Sequence, residues 1–112
     1  MTVNDQRIRI EKELDDIQEQ MQLLANQLSQ DPRSGSSDAD KANDLVERTG
    51  ALSWYQHLQQ KRWRLEHAKA RLDQGVEGIC EICGRPIDSA RLEAIVGVIY
   101  CLMCQRRLEQ KV

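Results

Sequence analysis

All four cysteines of this sequence lie in one short C-terminal stretch. Cys80 and Cys83 form one C-x-x-C pair, and Cys101 and Cys104 form another. Each pair fits a tight turn that directs two sulfur atoms at one ion, and the interval between the pairs is long enough to fold back. This spacing is typical of a structural zinc site, in which four thiolates surround one Zn²⁺ as a tetrahedron.

Three other uses of the four thiols stay open on the sequence alone: a pair of local disulfides, a dithiol redox centre and an iron site. Disulfides are rare in reducing compartments, and a single C-x-x-C pair would suffice for dithiol chemistry. Nothing else in the sequence requires a redox metal. We therefore predict one structural Zn²⁺, with all four coordination positions filled by the protein and none left open for catalysis.

The rest of the sequence offers neither competing ligands nor a catalytic set. His57 and His67 lie about 280° apart around the axis of a predicted helix, so they cannot face one ion together. Gly35, Gly75 and Gly78 are isolated and form no phosphate-cradling loop, and no activated nucleophile or acid–base pair can be recognised. We therefore expect no catalytic residues and no enzymatic activity.

The segment around the cysteines is too short to be stable without a metal. It has about 30 residues, below the ~40 at which a domain usually folds without metal or disulfides, and structural zinc supplies about 10–16 kcal/mol. Its apolar side chains predict a small core: Ile79, Ile82, Ile87, Leu92, Ile95, Val96, Val98 and Ile99. We expect "RLEAI" and "VIYC" to form two short strands joined at Gly97, and a short helix to open at Cys104. Four arginines are expected to offset the charge of the zinc–thiolate cluster: Arg85, Arg91, Arg106 and Arg107.

The sequence of residues 3–29 predicts one helix with a narrow apolar stripe. The stripe advances by alternate steps of four and three residues, which is the seam of a coiled coil. Its members are Ile10, Leu14, Ile17, Met21, Leu24 and Leu28. So narrow a stripe requires a partner helix, either within the chain or in a second copy.

A second helix is predicted over about 40–74, after a tip loop near 29–40 that is rich in Ser, Gly and Asp. Ser37 or Asp38 is the expected N-cap. The apolar marks of this helix are Leu45, Leu52, Leu58, Leu65 and Leu72. The step from the second to the third leucine is six residues instead of seven, so we expect the stripe to rotate near residues 50–54. Its lower half would then also serve the cysteine segment.

The charges favour pairing of the two helices within one chain. Acidic side chains dominate residues 1–31 and basic ones dominate residues 53–74. Opposite charges help adjacent helices to select each other, although each exposed pair contributes only ~0–1 kcal/mol. We therefore predict a monomer with a mainly α fold. An antiparallel helical hairpin (a coiled coil) would occupy residues 1–75, and a four-cysteine zinc finger with a short C-terminal helix would occupy residues 76–112.

Composition excludes several classes of protein. The 112 residues carry a net charge of −2, whereas duplex-DNA binders usually carry a marked basic excess. No apolar run approaches the ~18 residues of a membrane span, and the N-terminal residues lack the apolar core of a secretory signal. We expect a cytoplasmic protein without membrane association. A protein adaptor stays open as an alternative, as does a nucleic-acid-binding zinc module that uses Lys61, Arg62, Arg64, Arg71, Arg106 and Arg107.

The hairpin followed by "GICEICGRPIDSARLEAIVGVIYCLMC" resembles the DksA/TraR zinc-finger family, bacterial transcription factors that bind RNA polymerase. The best matches are the cysteine spacing, Gly78 before Cys80, Gly84 after Cys83 and "RLEA" at residues 91–94. The resemblance covers nearly the whole chain. It implies a regulator of initiation that inserts its coiled-coil tip into the secondary channel of the polymerase, near the catalytic magnesium, without sequence-specific binding of DNA.

The resemblance also implies a functional tip. The family signature D-x-x-D-x-A falls on "SDADKA" at residues 37–42, where its second Asp is Asp40 and its Ala is Ala42. Ser37 stands at the position of the first Asp, and Asp38 follows one position later. The residues implied to face the polymerase active site are therefore Asp38, Asp40 and Ala42. Helix capping by the two aspartates is the structural alternative.

Members of this family often act together with the alarmone ppGpp. The positions that are basic in the alarmone-responsive members correspond here to His57, Arg64, Ile95 and Gln105. Only Arg64 is reliably cationic, so the resemblance does not imply strong binding of ppGpp.

Overall fold

The computed structural model describes residues 3–29 and 38–110, without the side chains of residues 38–41 and 44. These residues form four helices: α1 (Val3–Ser29), α2 (Asp38–Asp73), α3 (Ser89–Ala94) and α4 (Leu102–Gln110). The described residues form no strand, and their one isolated antiparallel bridge joins Ile79 and Pro86. The predicted class, a mainly α fold with a long helical hairpin and a short C-terminal helix, is confirmed.

The seam of α1 matches the prediction. Ile10, Ile17 and Met21 are buried, and the other predicted members are half-buried. Burial at alternate steps of four and three along one helix is what packing against an antiparallel partner produces. The pattern read from the sequence therefore identifies the buried face of α1 correctly.

The predicted seam of α2 is half wrong. Leu58, Leu65 and Leu72 are buried, but Leu45 is 67% exposed and Leu52 is 49% exposed. The position one heptad before Leu58 is Ala51, which is buried and continues the stripe without the predicted rotation near residues 50–54. The prediction placed Leu52 in the seam because it is larger than its neighbour Ala51. Heptad phase, and not side-chain size, determines which of the two residues faces the partner helix.

The two strands predicted in the finger are also wrong. "RLEA" lies in α3, which begins where the carbonyl oxygen of Asp88 accepts hydrogen bonds from the amides of Arg91 and Leu92, both at 3.0 Å. Arg, Leu, Glu and Ala all have high helix propensity, so local preference prevails here. The predicted turn at Gly97 is present, with φ at +74°.

The described residues group into two compact units. One comprises Asp15–Arg62, and the other comprises Met1–Leu14 together with Trp63–Val112. In the first unit Arg48 donates to the backbone oxygen of Leu28 at 2.8 Å, which satisfies a carbonyl at the end of α1. The division into residues 1–75 and 76–112 that the motifs suggest stays a prediction.

The second unit joins both long helices to the finger. Lys69 of α2 pairs with Glu11 of α1 at 3.3 Å, and Arg7 pairs with Asp73. Arg9 of α1 donates to the backbone oxygen of Glu93 in α3 at 2.8 Å. The Lys69–Glu11 pair joins a cation of α2 to an acid of α1, as the charge pattern predicts, whereas the Arg7–Asp73 pair has the opposite sense. Exposed pairs of either kind add little stability.

Gly97 is expected to tolerate no side chain. At its left-handed φ, a Cβ would overlap Cδ2 of Leu65 and lie 3.6 Å from the Leu65 Cα. Gly97→Ala should lower the free energy of unfolding by about 2–4 kcal/mol, combining backbone strain and overpacking. Urea unfolding measures it, and Gly75→Ala is the control, because Gly75 has φ at +77° but open space around it. Equal losses in both variants would show that the approach to Leu65 is unimportant.

Candidate metal centre

The first cysteine pair lies in a turn closed by backbone hydrogen bonds. The amide of Gly84 donates to the carbonyl of Cys80 at 3.0 Å, and the amide of Cys80 donates to the carbonyl of Arg85 at 2.8 Å. Gly84 has φ at +74°, a conformation that residues with a Cβ adopt only at a cost. The glycine that follows Cys83 therefore allows the chain to turn back and place both sulfur atoms on one side.

The second pair lies at the start of a helix. Cys101 immediately precedes α4, and Cys104 is in its first turn, two residues after the helix begins at Leu102. The amide of Gln105 donates to the carbonyl of Cys101 at 2.9 Å, and the amide of Cys104 approaches the Cys101 sulfur at 3.5 Å. The positive end of the helix dipole favours thiolates at this place.

The structure brings the four sulfur atoms together. All four lie within 4.8 Å of one another, and the Cys83 and Cys101 sulfurs are 3.8 Å apart. Zn–S bonds of about 2.3 Å in a tetrahedron require S···S separations of about 3.8 Å, whereas a disulfide would need about 2.05 Å. The cysteines are free thiols positioned to bind one zinc ion, and the zinc prediction is confirmed.

The centre is packed into a small apolar core. Cys80, Cys104 and Ile87 are buried together, and other partly buried side chains pack against them: Leu92, Val98, Tyr100 and Cys101. Ile79 and Ile82 were predicted core residues, but both are exposed.

The thiols of the centre influence each other strongly. Burial tends to raise the pKa of Cys80, but hydrogen bonds from the amides of Cys101, Cys83 and Ile82 outweigh it and lower the pKa to about 6. Burial and the neighbouring sulfurs raise the pKa of Cys104 to about 12. A hydrogen bond from the Cys104 amide lowers the pKa of Cys101. The cluster thus resists four negative charges unless a cation is shared among them.

Three of the four predicted arginines surround a groove beside the sulfur atoms. Arg85, Arg91 and Arg107 line this groove. Its other walls are formed by three of the four cysteines (Cys83, Cys101 and Cys104) and by apolar side chains of α3 and α4. A tetrathiolate zinc centre carries a net charge of −2, so guanidinium groups along this groove reduce its unfavourable potential. Arg106 lies instead on another groove.

The predicted tip residues are placed only in part. Asp38 and Asp40 belong to the first turn of α2, where an acidic side chain complements the helix dipole. Ala42 is exposed in the next turn. Ser37 lies outside the described residues, so its predicted role as the N-cap stays a prediction. The assignment of these residues to a polymerase-facing tip likewise stays a prediction.

Three of the four alarmone-related positions line one groove. Arg64, Ile95 and Gln105 border a space of about 350 Å³, together with Arg91 and Arg106. The Nε atom of Arg64 is buried there without a hydrogen-bond partner. Spacing in the sequence could not reveal that Arg91 and Arg106 add charge at this place.

The two histidines are held by aromatic and acidic neighbours. His57 stacks on Trp54 with ring centroids 5.0 Å apart, and His67 stacks on Trp63 at 5.1 Å. His67 also contacts Glu81 through Nε2 at 2.8 Å, which ties α2 to the first cysteine turn. Each Trp precedes its His by three or four residues, a spacing that places both rings on one helix face. This spacing is the feature of the sequence that could have indicated the two stacks.

No described helix is long and apolar enough to cross a membrane. This result agrees with the low mean hydropathy of −0.63. The charged residues of α1 and α2 are spread along both helices instead of leaving an apolar segment.

The sequence of the finger matches a known family. The family model of the prokaryotic dksA/traR C4-type zinc finger matches residues 75–110. An "Uncharacterized 8.5 kDa protein in gpA 5'region" of Escherichia phage 186 is 35% identical over 60 residues, which cover 54% of this chain and 80% of that protein. An uncharacterised protein of Aquifex aeolicus (strain VF5) is 36% identical over 47 residues, 42% of this chain but only 32% of that protein.

The fold has a solved counterpart. The transcription factor DksA2 from Pseudomonas aeruginosa superposes with a TM-score of 0.80 over 97% of this chain and 84% of that chain, at 22% sequence identity. At this identity the likeness shows the fold alone, and the family model at residues 75–110, together with the four-cysteine cluster, identifies the family. The chain belongs to the DksA/TraR C4-type zinc-finger family.

Proposed function

We propose that this chain is a DksA/TraR-type transcription regulator that binds RNA polymerase and modulates initiation through the secondary channel. The observation that carries the proposal is the combination of a DksA-like fold over 97% of the chain with the C4 zinc-finger match at residues 75–110. DksA2, the structural counterpart, is itself a transcription factor. In this proposal the protein acts in the cytoplasm as a monomer and has no enzymatic activity.

The length of the long helices suits insertion into a channel. α1 has 27 residues and α2 has 36, which corresponds to about 40 Å and about 54 Å at 1.5 Å per residue. Helices of this length are long enough to extend from the surface of a large enzyme to a buried active site. Both helices bury apolar side chains at regular intervals: Ile10, Ile17 and Met21 in α1, and Ala51, Leu58 and Leu65 in α2.

The acidic start of α2 is the proposed effector. Asp38 and Asp40 lie in its first turn, beside the connection between the two helices. Carboxylates brought near a metal-bearing active site alter the local electrostatic potential around the metal ion. This arrangement would allow the protein to change the stability of promoter complexes without contacting promoter sequence.

Asp40→Asn is expected to abolish the effect on initiation while leaving folding and polymerase affinity unchanged within twofold. The substitution removes one charge from the first turn of α2 and costs at most about 1 kcal/mol of dipole complementarity. In vitro transcription and a polymerase-binding titration measure the two properties. Glu47→Gln is the matched control, since Glu47 is an exposed acid farther along α2. Normal regulation by Asp40→Asn would refute the role of the tip.

The nucleic-acid-binding alternative is less well supported. Arg71, one of its proposed contacts, donates to the backbone oxygen of Ile79 at 2.9 Å, and Arg62 contacts Gln18 at 3.4 Å. Phosphate binding would weaken steeply with added salt. A gel shift at low salt that shows no binding to duplex or single strands would exclude this alternative.

A further inference from the structure

The C-terminal end of α1 is held by a side chain of α2. Arg48 donates from its guanidinium group to the backbone oxygen of Leu28 at 2.8 Å. Leu28 is the last residue but one of α1, and Arg48 lies about three turns into α2. Both residues belong to the compact unit Asp15–Arg62, so this hydrogen bond joins the two helices within one unit.

This end of α1 has no cation of its own. The carbonyl groups in the last turn of a helix carry a partial negative charge and have no partner within the helix. α1 has no basic residue in its last turn, and the Ser29 hydroxyl satisfies one of these carbonyls by donating to the Asn26 oxygen at 2.9 Å. Arg48 provides a second donor, together with the positive charge that the sequence of α1 lacks at this place.

Arg48 is also the first side chain of α2 that the structure describes as half-buried. The described side chains that precede it in the helix, at residues 42, 43 and 45–47, are all exposed. The first buried side chain in the described part of α2 is Ala51. Because packing, and not propensity, supplies most of the stability of a protein helix, the acidic start of α2 depends on Arg48 for its attachment to the end of α1.

We propose that Arg48 is a positioning residue for the tip, because it fixes the end of α1 against α2 and thereby fixes the place from which Asp40 acts. The inference rests on the proposed function and adds the residue that holds the tip. Asp40 precedes Arg48 by eight residues, which is about 12 Å along the helix at 1.5 Å per residue. Arg48 therefore acts through the tip, at a distance from the carboxylate itself.

The effect of a carboxylate on a metal-bearing site depends on a fixed separation. The electrostatic interaction falls with distance and is weakened by intervening water. A tip that is not held by its supporting residues spends only part of its time in the effective place. Contacts that other parts of the protein make with polymerase would be kept, so loss of Arg48 should reduce the effect on initiation more than the affinity.

The main variant is Arg48→Met, which removes the charge and the donors but keeps a long apolar stem that can still pack. It should bind polymerase within about twofold of the wild type, but its effect on initiation at saturating protein should fall at least about fivefold, as expected for a displaced group. Arg48→Lys keeps a cation and a donor, and it should restore at least about half of the wild-type effect.

Lys69→Met is the matched control. Lys69 lies three heptads farther along α2 and also contacts α1, through Glu11 at 3.3 Å. Since an exposed pair of this kind adds little stability, its loss should leave regulation within about twofold of the wild type. The same change from a cation to methionine thus tests whether any contact between the helices suffices or only the one at the end of α1.

Hydrogen exchange of the free protein tests the hydrogen bond without polymerase. The amides in the last turn of α1, at residues 26–29, should exchange at least about fivefold faster in Arg48→Met than in the wild type, because local opening of that turn becomes easier. Lys69→Met should leave these rates unchanged.

The outcomes separate this inference from the proposed function. Normal regulation by Arg48→Met would overturn the positioning role while the proposed function stands, provided that Asp40→Asn loses regulation. Unchanged exchange at the end of α1 would also overturn it, as would an Arg48→Lys variant that restores nothing. Equal losses in Arg48→Met and Lys69→Met would replace it by a general weakening of the hairpin. No binding of polymerase by the wild type would reject the proposed function and, with it, this inference.

Discussion

Replacement of Cys104 by serine is expected to unfold the zinc finger and release its metal. Cys104 is buried at the start of α4 among the other three sulfur atoms, so its loss leaves three ligands and an unpartnered hydroxyl in an apolar core. Structural zinc supplies about 10–16 kcal/mol of apparent folding free energy near neutral pH, more than so small a core can replace. Extraction of the metal with a strong chelator should have the same effect.

Elemental analysis and hydrogen exchange measure these two consequences. The wild type should contain one zinc per chain, and Cys104→Ser should contain none and lose amide protection in α3 and α4. Met103→Ser is the matched control, because it introduces the same residue one position earlier at an exposed site of the same helix. A wild type that stays folded with no bound metal would contradict the prediction.

Zinc binding should weaken as the pH falls. Each bound thiol must be a thiolate, so the zinc-bound form holds its thiol pKa values far below the ordinary value, and its stability is lost as protons compete at lower pH. Because the finger is expected to unfold without its metal, the competing protons bind an unfolded chain, in which cysteines ordinarily have a pKa of about 8.5. Below about pH 8 zinc should therefore displace close to four protons, so the slope of log affinity against pH should approach four, and it should flatten above about pH 9. A slope that stays near zero between pH 6 and pH 8 would contradict this prediction.

The metal centre could be predicted from the sequence because its geometry is local. A C-x-x-C turn places two sulfurs together whatever surrounds it, and a glycine after Cys83 supports that turn. The approach of the second pair to the first is the long-range part of the site, because seventeen residues separate Cys83 from Cys101. A segment this short needs the metal to fold, and that requirement favours bringing the two pairs together. The start of α4 at Leu102 differs from the prediction by two residues, the usual uncertainty of a helix end.

The errors in α2 and in the finger have different physical causes. Leu52 was preferred to Ala51 as a seam residue because it is the larger apolar side chain, but burial follows the phase of the heptad. The strand predicted for "RLEAI" disagrees with the helix preference of Arg, Leu, Glu and Ala, and these four residues lie in α3.

Some features of the site could not be predicted from one sequence. The contact of His67 with Glu81 joins elements that are distant along the chain, and nothing in their spacing indicates it. The open space around Gly50, where a Cβ would meet nothing within 4 Å, is likewise visible only in the structure.

Leu65→Ala is expected to be the most destabilising substitution in the helical hairpin. Leu65 is 0% exposed, and its side chain also lies against Gly97 of the finger. Truncation of a fully buried leucine removes apolar burial and leaves a cavity, with a loss of about 3–5 kcal/mol in the free energy of unfolding. Urea unfolding followed by circular dichroism measures the loss, and Leu52→Ala is the control, because Leu52 is an exposed leucine of the same helix and should lose below about 1 kcal/mol. Losses of similar size in both variants would contradict the buried role of Leu65.

The double variant Leu65→Ala, Gly97→Ala separates packing from backbone strain. A Cβ at residue 97 overlaps Cδ2 of Leu65, and alanine at residue 65 lacks that atom. The two losses should therefore fall short of additivity by about 1–2 kcal/mol, as expected for residues in contact. The left-handed strain at residue 97 remains, so the double variant should still be less stable than Leu65→Ala alone. Additive losses would mean that helix and finger do not share this contact, and that the zinc-bound module is attached to α2 by other residues.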